Sequence, residues 1–381
     1  MALNRHGIDV EYGRAVRGHV LRTGRPTALV HTATSRTEVA ARFLVGCDGG
    51  ASQGRRTAGI GFNGVRYPTD IVLADLEPAD LEAAVPHGTR SDDVGGHTAI
   101  SARGLVMLLP LGESATWRLI ASIAATSGRG TDDPFGPEVP RDVLDGLLRE
   151  SGLPFRITAA AWSSRVRVHH RLAARYRSGP VLLAGDAAHR FSPAGGQGMN
   201  TGIQDACALG WRLALAARSP GRTDLLLDSY ESERRQAARG VLALTHALFW
   251  LESGADATAR SVNWVGAGIA RKALPRFLGH EAFVAPTVRV VSQLSWAYHL
   301  SPLSLDLRRR SPMVRQHADL QGRPGHRLPD ADVSVGGLPR RLHDITATPG
   351  FHVLLPGNSA ALAVNAMPGP HIPVTVHRVD S

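Results

Sequence analysis

Apolar positions along the chain fall into three textures, and each predicts a different element. Short, uninterrupted apolar runs occur at Phe43-Leu44-Val45 and Val181-Leu182-Leu183-Ala184. Each is followed by an aspartate, Asp48 and Asp186. Such runs, the second bounded by Gly179-Pro180 and Gly185-Asp186, predict buried strands. Alternating apolar and polar positions fill the stretch between them. Ile71–Leu76, His97–Ser101, Leu105–Leu109 and Trp117–Ile123 read as an antiparallel set, with a hairpin turn at Leu111-Gly112-Glu113-Ser114, and Phe155–Val168 returns as a strand. Helical spacing marks Arg141–Glu150, Leu225–Leu251 and the stretch after Gly198. In that last stretch Met199, Ile203, Ala206, Gly210, Leu213 and Ala217 define one packing face, and Gly210 on it admits a close neighbour. At the N-terminus, Met1–Gly7 reads as the end of a helix capped by Gly7. β-like runs follow at Ile8–Tyr12, Val16–Leu21 and Thr27–Ala33.

The segment Gly179–Ala217 carries the most chemistry. Gly185-Asp186 closes its strand and puts a carboxylate at the C-terminal edge, where open α/β sheets bind ligands. The loop Arg190–Gly198 holds Pro193, Gly195, Gly196 and Gly198. These allow close backbone approach and leave amide N–H groups to point at a ligand. The helix that follows presents unpaired N–H groups and a partial positive charge. Together they form a cradle for a polar, electron-rich molecule.

A second motif, Arg42–Arg55, repeats the plan. Asp48 ends a buried strand, Gly49-Gly50 turn tightly, and Ser52 and Arg55 follow on a helical turn. Asp48 can accept from ribose hydroxyls, and Arg55 can neutralise phosphate. A literal GxGxxG at Gly59, Gly61 and Gly64 lacks the strand before it and the helix after it, so it is not a dinucleotide fingerprint. Gly266-Ala267-Gly268 fails for similar reasons.

Composition adds bounds. With 43% apolar and 20% charged residues, 381 residues suit an ordinary soluble globular protein of two or three domains. No apolar run is long enough to span a membrane, and the N-terminus is not a signal peptide, so the cytoplasm is the expected compartment. The net charge of +10 comes from arginines, with Lys272 the only lysine. They are scattered, with one cluster at Arg308-Arg309-Arg310, which argues against nucleic-acid binding. Cys47 and Cys207 have no metal-ligand spacing and are expected to be buried and inert. No histidine pattern implies a metal.

The Gly179–Ala217 segment closely resembles the second flavin-binding motif of the class A FAD-dependent aromatic hydroxylases, in the branch acting on aromatic polyketides and bulky phenols. The shared features are Gly185-Asp186, Ala187-Ala188-His189, Pro193 and Gly195-Gly196-Gln197-Gly198-Met199-Asn200. Arg42–Arg55 resembles that family's Asp-Gly motif, which serves FAD and transient NAD(P)H. Tyr230–Arg235 matches a stretch following the second motif, and is read as a packed, solvated surface helix. Gly325–Pro329, Leu342-His343-Asp344 and Phe351–Leu355 resemble the opening of a thioredoxin-like C-terminal domain.

The resemblance implies an α/β multidomain chain with a para-hydroxybenzoate-hydroxylase-like fold. Residues 1–65 would be the C-terminal part of a first, Rossmann-like FAD segment, and 66–168 an inserted antiparallel substrate sheet. Residues 169–320 would hold the second FAD segment and helices, and 321–381 part of the thioredoxin-like domain. The family's fingerprint stands far upstream of its Asp-Gly motif, so the first part of the FAD domain and the end of the last domain are expected to lie outside these residues. The chemistry implied is reduction of FAD by NAD(P)H, addition of O₂ at flavin C4a, and oxygen transfer to an aromatic ring. Asp186 would bind the ribityl side and Asp48 the dinucleotide groove. Pro193, Gly195 and Gly196 would shape the loop at the reactive edge. Gly198, Met199 and Asn200 would stabilise charge on the flavin. The alternatives are a chain without tight FAD binding, inert or interaction-only, and another flavin reaction such as dehydrogenation, dehydration or halogenation. No residue declares itself a general base, although Trp162, Arg165 and Arg167 can line a pocket. The sequence names neither substrate nor oligomeric state.

Overall fold

The computed structural model describes residues 3–79, 96–101, 104–111, 117–125, 136–153, 156–218, 221, 223–253, 288–305, 324–328, 330–348, 350–356 and 374–379. The chain opens on a single 3-10 turn, Leu3–His6, closed by Gly7 at φ +67°. β1 (Ala15–Arg22), β2 (Arg25–His31) and β3 (Arg36–Ala40) form an antiparallel meander. Ile8–Tyr12, expected as a strand, makes no ladder; its apolar residues are exposed, and exposed positions gain nothing from alternation.

β4 (Leu44–Gly46) and the short helix α1 (Gln53–Thr57) come next, followed by β5 (Phe62–Pro78), β6 (His97–Ser101), β7 (Gly104–Pro110) and β8 (Trp117–Ala124). The helix α2 (Arg141–Ser151) ends at Gly152 in the left-handed conformation. Then come β9 (Ile157–Ala173), β10 (Arg177–Ser178), β11 (Val181–Leu183) and β12 (His189–Arg190). One sheet has the order β12-β9-β5-β8-β7-β6, antiparallel throughout, and its spine is the long pair β5 and β9. The turn expected at Leu111–Ser114 lies, from Gly112 on, outside the described residues. So do Gly266–Gly268, Lys272 and Arg308–Arg310.

The sheet's two faces bury different partners, as the period of two along a strand requires. Val72, Ala74 and Leu76 of β5 join Leu108, Trp117, Leu119 and the α2 residues Leu144 and Leu148 in one core. On the opposite face Tyr67 and Ile71 pack with Val168, Ala194 and Phe249. The ladder breaks between Arg66 and Asp70, so Tyr67, Pro68 and Thr69 bulge out of register with β9. Asp70 is buried there, and Arg165 holds it by an Nε–Oδ2 contact of 3.0 Å. Arg165 is therefore an internal partner. Trp162 is exposed.

Two long helices, α3 (Gln197–Arg218) and α4 (Thr223–Ser253), follow. The buried side of α3 is Thr201, Asp205, Leu209, Arg212 and Ala216. The face expected from Met199, Ile203, Ala206 and Gly210 is exposed instead. Asp205 and Arg212 are among these buried positions, and their burial is tolerated because both are paired. Cys47 and Cys207 are exposed, which corrects the expectation that they are buried. Even so, local crowding and the nearby Asp48 and Asp205 carboxylates push the Cys47 pKa up, keeping it a thiol.

The chain divides into two compact units, Met1–Cys207 with Ala237–Val284, and Ala208–Gln236 with Ala285–Ser381. In the second, Arg212 donates to Ser229 Oγ (2.8 Å) and pairs with Glu233 (2.6 Å). Tyr230 and Arg234, read as part of a solvated helix, are buried, and Arg234 donates to the Tyr298 hydroxyl at 2.8 Å. The same unit contains the hairpin β13 (Asp332–Val335) and β14 (Leu338–Arg341), the single turn α5 (Leu342–Ile345), and the parallel pair β15 (Phe351–Pro356) and β16 (Val374–Val379). Val333, Leu342 and Val379 form its small core. Among the described residues no helix is long and apolar enough to cross a membrane.

Candidate active site

β4 and β11 are parallel neighbours, with Leu44 opposite Val181 and Gly46 opposite Leu183. The two aspartate motifs therefore leave the sheet at one common edge. This is the carboxyl edge at which α/β sheets bind ligands.

Behind β4, Asp48 accepts N–H bonds from Gln53 (2.6 Å) and Gly54 (3.0 Å), while Ser52 Oγ accepts from Arg55 N at 2.9 Å. The pair caps α1. Burial alone would raise the Asp48 pKa, but hydrogen bonds from Ser52 and the Gly54 and Gln53 amides outweigh it and hold the carboxyl below its usual range. α1 packs on the strand end, where a Cβ on Gly54 would be in ordinary contact with Gly46 Cα at 3.4 Å.

Arg55 is buried. Its Nη1 donates to Ala187 O at 2.8 Å, its Nη2 donates to Gly50 O at 2.7 Å, and its guanidinium lies 3.8 Å from the Phe62 ring centre. It ties the turn after β4 to the turn after β11. Arg55→Ala strips two carbonyls of charge-assisted donors, so a loss of about 3 kcal/mol of stability is expected in urea unfolding. Arg55→Lys recovers little of it, because an ammonium lacks the planar fork that reaches both carbonyls. A wild-type midpoint for either variant would count against the brace.

After β11, Gly185 (φ +59°) opens a single turn, Gly185–Ala187, that leaves Asp186 exposed. A Cβ on Gly202 would lie 3.4 Å from Gly185 Cα. The neighbour of the Gly185 turn on α3 is therefore Gly202, whereas Gly210 faces open space. Pro193 leads into a tight turn with Gly195 at φ +74° and Gly196 at φ +63°. Gln197 is buried, and its side-chain amide donates to Gly195 O at 2.8 Å. Gln197 thus shapes the loop from inside. Gly198, Met199 and Asn200 fall in the first turn of α3, whose N–H groups have no intrahelical acceptor. Met199 is 76% exposed.

Two further groups come together only in the structure. His189 and Asp205 are both buried, with Nε2 and Oδ2 2.7 Å apart. On the face of the large sheet nearest the glycine loop, the Tyr67 hydroxyl meets His170 Nδ1 at 3.3 Å and also His246 Nδ1. The Tyr67 ring packs 4.3 Å from Phe249. Ala194 shares this core, Ser192 Oγ donates to Thr245 O at 3.0 Å, and a Cβ on Gly195 would lie 3.1 Å from Leu248. These contacts seat the Tyr67 cluster against the loop. Its members come from β5, β9 and α4, so no spacing could announce it. The described residues include no cluster of three metal-ligating side chains.

A carboxylate at a parallel strand end, a two-glycine turn and an exposed helix N-terminus define an α/β protein that cradles a nucleotide cofactor. The chain belongs to the FAD binding domain family, whose model matches residues 1–245. The cofactor of that family is FAD, and the residues at this junction fit it: the first turn of a helix, a cradle no Cβ crowds at Gly196, and an exposed carboxylate at Asp186.

The chain is 37% identical over 245 residues to the 12-dehydrotetracycline 5-monooxygenase/anhydrotetracycline 6-monooxygenase of Streptomyces rimosus, covering 63% of this chain and 47% of that protein. It is 35% identical over 245 residues to the rifampicin monooxygenase of Rhodococcus hoagii, with the same coverage of 63% and 47%. The chain thus spans about half the length of these curated relatives. Among solved structures, the OxyS anhydrotetracycline hydroxylase from Streptomyces rimosus aligns with TM-score 0.71 at 27% identity, over 99% of this chain and 69% of that one.

Proposed function

We propose that the protein is an FAD-dependent, NAD(P)H-using monooxygenase that hydroxylates an aromatic substrate of polyketide or phenolic type. The supporting observation is the junction of β4, β11 and α3, which assembles both family motifs at one edge. Bound FAD, reduced by NAD(P)H, supplies activation of O₂ and delivery of one oxygen atom to the ring. The chain's own residues do the rest. Asp186 would accept from the ribityl hydroxyls. The N–H groups of Gly198, Met199 and Asn200 would stabilise negative charge on the flavin ring. Pro193, Gly195 and Gly196 would shape the loop at its reactive edge. Asp48 holds the first motif's turn against the dinucleotide groove, and Arg55 braces the two motifs together.

Tyr67, His170 and His246 add a hydrogen-bonded acid–base chain beside the loop, suited to taking the proton of a phenolic ring as it is activated. The cytoplasm, with its NAD(P)H, is the compartment that fits this reaction.

The test is direct. The purified chain is expected to take up FAD and show flavin absorbance. NAD(P)H oxidation should rise with an aromatic substrate, and the product should gain one oxygen atom by mass spectrometry. A colourless chain that takes up no FAD on reconstitution would sink the proposal. Substrate-stimulated NAD(P)H oxidation without an oxygenated product would point instead to another flavin reaction.

A further inference from the structure

Behind the cradle lie two ionisable side chains that the proposed chemistry does not use. His189 and Asp205 each have side chains 0% exposed. Asp205 Oδ2 receives His189 Nε2 at 2.7 Å and the backbone N–H of Gly185 at 3.1 Å. A buried carboxylate is expensive unless such donors surround it. His189 Nδ1 is buried with no hydrogen-bond partner, under the Phe191 ring stacked 4.5 Å away, so the polar commitment of the imidazole is to Asp205.

The placement gives the pair a specific reach. Gly185 opens the turn that presents Asp186, and Asp205 stands two turns into α3, whose first turn carries Gly198, Met199 and Asn200. Gly185 and Gly202 are neighbours, and a Cβ on either would make only ordinary contact with the other's Cα, so this packing gives no direction. The shared Asp205 oxygen supplies the direction.

We propose that His189 and Asp205 are positioning residues that lock the Asp186 turn to the start of α3, and so fix the ribityl-binding carboxylate relative to the helix end that faces the flavin ring. The proposal rests on the FAD reading for its purpose. The lock itself can be read without flavin. In the full chain with no added FAD, Asp205→Asn keeps the shape of the side chain but removes its charge. Amide exchange is expected to quicken together in Ala184–Arg190 and Gln197–Thr201, while β5 and β9 keep wild-type protection. On adding FAD, affinity should fall about tenfold, and the bound flavin's spectrum and reduction potential should shift.

His189→Gln, whose amide N–H can still reach Asp205, should recover most of the affinity that His189→Ala loses. This variant carries the test if Asp205→Asn fails to fold. Unchanged exchange in the two segments would overturn the proposal. So would loosening that extends equally to β5 and β9, or wild-type affinity and potential in Asp205→Asn. If the wild-type chain takes up no FAD, the functional reading falls, and the exchange result alone still decides whether the lock exists.

Discussion

Tyr67→Phe is expected to slow the proposed hydroxylation about 100-fold while lowering stability by only about 1 kcal/mol. The ring keeps its packing, 4.3 Å from Phe249 and 5.7 Å from His246. Only the hydroxyl is lost, and with it the link between two imidazoles. One hydroxyl carries one proton, so it donates to one Nδ1 and accepts from the other. The chain therefore has a direction, which reverses when a proton enters at one end. Burial pushes the Tyr67 pKa up to about 12, so the phenol is a conduit and never a standing base. Burial, and then the neighbouring His246, lower the His170 pKa below 6.5, so that imidazole is neutral and can accept.

The two shifts predict both limbs of a stability profile. For His170 the contribution is present above pH 6.5 and is lost as pH falls through the lower folded value. For Tyr67 it is present below pH 10 and is lost as pH rises through about 12. Tyr67→Phe should remove the Tyr67 share of the alkaline limb, leaving that of Cys47, and spare the acid limb. Chemical unfolding across pH, with kcat/KM for an accepted aromatic substrate, checks this. A variant that hydroxylates at the wild-type rate would remove the relay from the mechanism.

Gly64→Ala should do more damage than any single change at the cradle. Gly64 sits at φ +140° in β5, opposite Arg171 of β9, and a Cβ would lie 1.9 Å from His170 O and 2.8 Å from Arg171 Cα. Both are backbone atoms within a ladder and cannot swing aside. The expected cost is ~3 kcal/mol or more, seen as a collapse in thermal midpoint or in soluble yield. Its two companions behave differently. Gly59, at φ +66° with open space around it, should cost about 1 kcal/mol on change to Ala. Gly61 has ordinary backbone and only van der Waals neighbours, so Gly61→Ala should be nearly silent. Equal effects at all three positions would contradict this assignment.

That trio also shows what the sequence could reveal. Its rejection as a nucleotide fingerprint rested on missing flanking elements, and the structure supplies a separate local reason for Gly64. The motif strands, the long sheet strands and the helices α2, α3 and α4 were all legible, because runs, alternation and helical spacing are local. The buried side of α3 was not. Apolar spacing pointed to Met199 and Ile203, whereas the core takes Asp205 and Arg212, whose partners stand far along the chain or on another element. The same limit hid Tyr67, His170 and His246, and it hid the inward bonds by which Arg55 braces the two motifs. Pairing across elements has no signature in a linear pattern.

The parallel pairing of Leu44 with Val181 has a last consequence, for folding order and for evolution. Everything between β4 and β11 leaves the strand edge and returns beside it. The cofactor sheet cannot close until that excursion has compacted, so this pairing should form late in folding. An excursion with adjoining ends can also be lengthened, recut or repacked while its anchoring strands stay in place. On the proposed reading, substrate preference can then change by rewriting the excursion while the strands that anchor the cradle stay in place.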